Sequence, residues 1–237
     1  MRFLPGLMAL GLGLNMWGGP VHAGDRPLVV VELFTSQGCS SCPPADALLA
    51  RLAKREDVLA LSMHVDYWDY IGWPDTFARP EHTLRQKAYA HIAGMRSIYT
   101  PQMIIAGKDH VIGSKPMDVA DYIEMSRDSP ALLEMEATLE GGVLRFEARS
   151  ATHMPLPDSM QVMLVAFTER ASVMIQRGEN AGKTIEYANI VTDMTTLGNW
   201  DGLGELVLEM PVQGTGAMAV FLQETGPGEI LGAVRVQ

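Results

Sequence analysis

Two cysteines, Cys39 and Cys42, stand between an apolar run and the start of a helical pattern, and the 237-residue chain has no others. Before them lies Leu28-Val29-Val30-Val31-Glu32-Leu33-Phe34. A continuous apolar run of this kind fits a central strand buried on both faces. After them, Pro43-Pro44-Ala45-Asp46-Ala47-Leu48-Leu49-Ala50 reads as the first turns of a helix. A helix N-terminus offers unpaired N–H groups and the positive end of the macrodipole. Both stabilise a thiolate, the reactive form of cysteine. Strand, Cys-x-x-Cys and helix in that order therefore make a place where a dithiol can do redox chemistry.

The N-terminal segment has the pattern of a leader. Arg2 supplies a positive start, Leu4 to Trp17 is apolar and uncharged, and Val21-His22-Ala23 is a small-x-small cleavage signal. Residues 1–23 are expected to be a secretory signal, which places the remainder in the periplasm or outside the cell, under oxidising conditions. After cleavage no membrane insertion is expected, because no later stretch is long and apolar enough. The formal net charge is −10. Such a surface repels phosphate backbones, so nucleic acid is not an expected partner. A disulfide across Cys39-Ser40-Ser41-Cys42 closes too small a loop to remove much chain entropy, so its value as a staple is low. That directs attention to a redox role.

The first half alternates strand and helix. Leu28–Phe34 is followed by a helix over Pro44–Arg55 and a second strand, parallel to the first, over Asp57–Val65. Asp66 to Pro80 is aromatic and irregular, Glu81–Gly94 reads as a helix, and Gln102–Ala106 with His110–Gly113 as a hairpin. Pro116 opens a last helix, and Asp128-Ser129-Pro130 looks like a boundary. Beyond it come short strand-like runs punctuated by Gly and Pro, among them Met160–Thr168, Ala171–Gln176, Ile185–Val191 and Ala217–Gln223. That spacing suggests a β-sandwich. The expected organisation is residues 24–129 as one α/β domain and residues 130–237 as an all-β sandwich-like domain.

The strand–Cys39-x-x-Cys42–helix unit, with Thr100-Pro101 opening a strand that leads into a hairpin, resembles the thioredoxin superfamily. Two wider stretches sharpen the match, Val31-Glu32-Leu33-Phe34-Thr35-Ser36-Gln37-Gly38-Cys39-Ser40-Ser41-Cys42-Pro43-Pro44-Ala45 and His64-Val65-Asp66-Tyr67-Trp68-Asp69. With Arg177-Gly178-Glu179-Asn180-Ala181-Gly182-Lys183-Thr184 they look like a family of secreted bacterial thioredoxin-like proteins known only as a domain of unknown function. The resemblance implies an α/β thioredoxin-like domain and a cis-proline at Pro101 beside the cysteines. It also exposes a departure. Thioredoxins carry a buried acid six residues before the first cysteine, a position held here by Leu33, with Glu32 one place earlier.

These readings give a site and its rivals. Cys39 is expected to be the exposed nucleophile and Cys42 the resolving thiol of a thiol–disulfide oxidoreductase acting on exported protein or peptide thiols, served by a redox partner protein and needing no cofactor. Thr100 and Pro101 would shape the substrate groove, and Asp66, Tyr67 and Trp68 would line it from the C-terminal end of the second strand. The alternatives are a non-catalytic thioredoxin-like binding module and a protein that handles copper or zinc. The zinc reading would draw on His64 and His91 and the copper reading on methionine, although no dedicated ligand spacing is present. The Gly178–Gly182 loop reads as a β-turn, and His82 and His91 as helix-face histidines.

Overall fold

The computed structural model describes residues 28–214 and 216–237; the leader expected over residues 1–23 lies outside them. Strand β1 (Val29–Thr35) is buried along its whole length and enters the cysteine turn, after which α1 (Pro43–Leu52) returns the chain to β2 (Val58–His64), parallel to β1. Helix α2 (Pro80–Ile92), the hairpin β3 (Gln102–Ile105) and β4 (Asp109–Ile112), and α3 (Pro116–Asp128) complete the first half. The three α-helices among the described residues each begin with proline in the first turn, where a missing N–H leaves no helical bond unmade. The second half is all strand: β5 (Leu133–Glu140), β6 (Val143–Ser150), β7 (Met160–Met174), β8 (Thr184–Trp200), β9 (Leu206–Pro211), β10 (Ala217–Glu224) and β11 (Ile230–Arg235).

The expected architecture of an α/β thioredoxin-like domain followed by a β-sandwich domain is overturned. Strands from both halves form one mixed eight-stranded sheet in the order β11-β10-β7-β8-β2-β1-β3-β4. The seam is β2 against β8, where Ser62 pairs with Ile190. What reads in sequence as the short strands Met160–Thr168 and Ala171–Gln176 is the single 15-residue β7, paired along its length with the 17-residue β8. Only β5, β6 and β9 stand apart, as a small antiparallel sheet.

The cores explain why the halves join. One cluster runs from Phe34, Leu61 and Tyr89 through Val165 and Val191 to Phe221 and Ile230, so a single apolar layer spans strands from both halves on the α2 face. On the other face, α1 and α3 cover Val31, Leu33, Met103 and Ile105, while the small sheet covers Val162, Leu164, Val220 and Leu222. A buried polar tie on the α2 face links β1 and α2 of the first half to Gln223 on β10 of the second. Arg85 Nε donates to Glu32 Oε1 at 2.6 Å, Tyr89 OH to Glu32 Oε2 at 2.6 Å, and Arg85 also to Gln223 Oε1 at 2.9 Å. Glu32 is therefore occupied on the α2 face, and Leu33 lies in the apolar layer beneath α1. No described helix is long and apolar enough to cross a membrane.

Candidate functional site

Cys39 and Cys42 are joined by a disulfide where β1 passes into α1. Cys42 is the N-cap residue of α1, and its carbonyl accepts the amides of Ala45 and Asp46 at 2.8 and 3.1 Å. The sulfurs therefore sit at the positive end of a ten-residue helix. The expected exposure of Cys39 is not observed. Cys39 is 2 % exposed and Cys42 0 %, while Ser40 and Ser41 between them face solvent. The aromatic segment packs against the residue before Cys39: a Cβ at Gly38 would lie 3.3 Å from Ile71 and from the Trp68 carbonyl.

Thr100–Pro101 is a cis peptide bond. A Cβ at Gly113 would lie 3.2 Å from that of Ala45 and 3.3 Å from that of Pro101, so Pro101 flanks the first turn of α1. Trp68 Nε1 donates to Thr100 Oγ1 at 2.7 Å. Trp68 thus links the turn before Cys39 to the Thr100–Pro101 corner, and its ring stacks at 6.4 Å on Tyr70, which is largely exposed. Asp66 and Tyr67 point elsewhere. Thr83 Oγ1 donates to Asp66 at 2.6 Å and Tyr67 OH to Gln86 at 3.2 Å, so both fasten the loop to α2. Burial pushes the Tyr67 hydroxyl up to about 12.

A second buried acid lies on α1, closer in sequence to the cysteines than Glu32. Asp46, one helical turn after Cys42, is buried and accepts the Thr35 hydroxyl at 2.8 Å. Burial raises its pKa to about 7, against the opposing pull of His64 and the Thr35 bond and with help from Asp75. His64, at the end of β2 and in register with Thr35, pairs through Nδ1 with Asp75 Oδ2 at 2.7 Å. The same oxygen accepts the Gln37 amide at 2.7 Å, which joins the pair to the cysteine turn. The Tyr187 ring of β8 packs edge-on against His64 at 4.9 Å, and its hydroxyl pKa is raised, first by burial and then by Asp46 and Asp75. Asp46 Oδ2, Ser62 Oγ, His64 Nε2 and Tyr187 OH are buried and unpaired within the described protein. An unpaired buried polar atom is costly, so each of the four calls for a partner, a bound water or a chemical role.

Asp46 was not distinguished in the sequence, because an acid in a first helical turn is what a helix dipole favours in any protein. Its place between Ala45 and Ala47 on an apolar helix was the available signal. His82 is a correction: it is 3 % exposed rather than on an open helix face, its Nδ1 lies 2.8 Å from the His64 carbonyl, and burial lowers its pKa to about 4. His91 is exposed. Among the described residues no group of three or more His, Cys, Asp or Glu is placed to hold a metal ion, so the Cys–His set weighed above does not assemble.

The family model described as "Protein of unknown function (DUF1223)" matches residues 30–223. A crystal structure of protein AGR_C_4864 from Agrobacterium tumefaciens is similar at 32% identity and TM-score 0.77, over 90% of this chain and 95% of that one. HBP35 of Porphyromonas gingivalis shares the fold at 15% identity and TM-score 0.60, over 89% of this chain and 75% of its own. No curated protein matches the chain.

Proposed function

We propose that this chain, which belongs to that family of unknown function, is an exported thiol–disulfide oxidoreductase acting on protein or peptide substrates. The observation that carries the reading is the placement of its only two cysteines at the start of α1, with the buried carboxyl of Asp46 one turn on. The likeness to thioredoxins that we propose is confined to this centre, the dithiol with Thr100–Pro101 beside it, and does not extend to the fold. Export rests on the leader read at residues 1–23.

In the reduced protein the Cys39 thiolate attacks one sulfur of a substrate disulfide. The substrate S–S bond breaks, a mixed disulfide forms, and the first substrate sulfur leaves as a thiolate that takes a proton from solvent. Cys42 then gives up its proton, for which the Asp46 carboxylate is the buried acceptor, and attacks Cys39 Sγ. The mixed disulfide breaks, the second substrate thiolate leaves, and Cys39–Cys42 closes with two electrons delivered to substrate. Run backwards, the same steps oxidise a substrate dithiol. A group titrating near neutrality suits both directions, since it can accept or return the proton at ambient pH. Trp68, stacked on Tyr70 and fixed to Thr100, offers an apolar wall for an extended substrate chain.

One observation favours a second reading. The near-complete cover over Cys39 is what an inert bridge in a non-catalytic binding module would show. Oxidative refolding of a reduced substrate and insulin reduction, each with Cys39→Ala as control, decide between them. Wild-type activity above the control in either assay supports exchange; identical traces in both remove it.

A further inference from the structure

We propose that Asn180 and Lys183, on the loop between β7 and β8, form an electrostatic clasp on the cysteine turn that holds the Cys39 thiolate in its reactive form; the inference rests on the dithiol reading above. Asn180 is 1 % exposed. Its Nδ2 donates to the carbonyls of Gln37 and Cys39, both at 2.9 Å, so the two amide protons are committed to the turn that carries the nucleophile. Lys183 Nζ donates to Asn180 Oδ1 at 2.9 Å. The polarity runs one way, from ammonium to amide oxygen, through the carboxamide, and out of its N–H groups to the residue that bears Sγ.

The loop does not need this side chain to keep its own shape. Gly182 N donates to the Ile175 carbonyl at 2.8 Å, Ile175 N to the Lys183 carbonyl at 2.9 Å, and Lys183 N to the Asn180 carbonyl at 3.1 Å. Its side-chain bonds instead reach across more than 140 residues of sequence to the cysteines. The approach is close at Gly178, whose φ of +78° strains any other residue and where an added Cβ would lie 3.3 Å from Trp73 Cβ. Trp73 Nε1 in turn donates to Gln37 Oε1 at 2.8 Å.

An amide polarised by a cation is a stronger donor than an isolated one. Its positive end faces the Cys39 carbonyl in the disulfide form, and reduction adds a negative charge at the same residue. The interaction is therefore differential: it lowers the thiol pKa and favours the dithiol over the disulfide. Two carboxylates also approach the turn, and Arg177 and Glu179 stand exposed on the loop that carries Asn180. Asp75 accepts the Gln37 amide and pairs with His64, and Asp46 lies below Cys42. Their carboxylates act in the opposite sense to Lys183. The second half of the chain, which has no cysteine, thus supplies positioning residues to the redox centre.

The test uses the chain from residue 24 to 237, with Lys183→Met, Lys183→Arg and Asn180→Asp. Thiolate absorbance against pH gives the Cys39 pKa, glutathione buffers give the dithiol–disulfide equilibrium, and thermal melting checks the fold. Lys183→Met, a change at an exposed position, should raise the pKa and cut the thiolate fraction below it by about three-fold, half a pKa unit. Lys183→Arg should restore it. Asn180→Asp, which turns a carboxylate toward the same carbonyls, should shift the pKa further in the same direction. Folded Lys183→Met with pKa and equilibrium unchanged overturns the clasp and leaves the dithiol reading standing, even if Asn180→Asp fails to fold. A wild-type bridge that cannot be reduced and reoxidised reversibly overturns both.

Discussion

The Thr35 hydroxyl, at the end of β1, donates to the buried carboxyl of Asp46 at 2.8 Å, one turn along α1 from Cys42. The bond fixes one oxygen of an acid whose other oxygen has no partner within the described protein. It ties the last residue of β1 to the helix that Cys42 caps.

That relationship makes stability depend on pH with a defined sign. Asp46 has a folded pKa of about 7 against an unfolded value near 3.8. An acid whose pKa is raised in the native state contributes no penalty below its unfolded pKa. Its stability is lost as pH rises through the folded pKa. Between pH 4 and 8 the wild type should lose up to about 4 kcal/mol from this group. Asp46→Asn keeps an acceptor for Thr35 and has no charge to bury, so the loss should vanish from its denaturant curves. His82 acts on the acid side: its lowered pKa gives stability present above pH 6.5 and lost toward pH 4. The difference between wild type and Asp46→Asn isolates Asp46; parallel pH profiles would show that its carboxyl is not held neutral.

Glu32 on β1 and Arg85 on α2 form a buried ion pair that Arg85 extends to Gln223 of the second half, with side-chain exposures of 0% and 12%. Removing one partner leaves the other charge buried and unmatched, which costs about 3–5 kcal/mol. Glu32→Gln keeps the shape and should destabilise by an amount in that range, measured by urea unfolding. A change below about 1 kcal/mol, the size of an exposed pair, would mean that Arg85 reaches solvent instead.

The first half should not fold alone. Residues 24–129 without β7, β8, β10 and β11 leave one edge of β2 open and uncover the apolar layer that holds Phe34, Leu61 and Met63. The fragment should show no native-like dispersion of amide resonances and should bind an apolar dye. A cooperatively melting fragment would restore an independent first domain.

Element types were legible because strand and helix periodicities are local properties. The buried run of β1, the start of the third helix at Pro116, the starts of the first two to within one residue of Pro43 and Pro80, and the parallel β1–β2 pair all follow from neighbours in sequence. Which strands become neighbours is not local. Nothing near Ile190 announces a bond to Ser62, and the charged Glu169-Arg170 in β7 reads as a break between strands. The far part of that strand alternates exposed and half-buried residues, which weakened the strand signal. At the site, the cysteines and the Thr100–Pro101 corner were legible from their flanks. Asn180 was not, because a polar residue between glycines is ordinary turn composition, and only the fold brings it to the Cys39 carbonyl.

The most direct test of the account is the potential of the Cys39–Cys42 pair in full-length mature protein, read by alkylation after equilibration in glutathione and dithiothreitol buffers. The account predicts reversible interconversion with a midpoint between about −120 and −270 mV, the range of exchange catalysts. A pair that stays oxidised until below about −300 mV, as structural disulfides do, would contradict it.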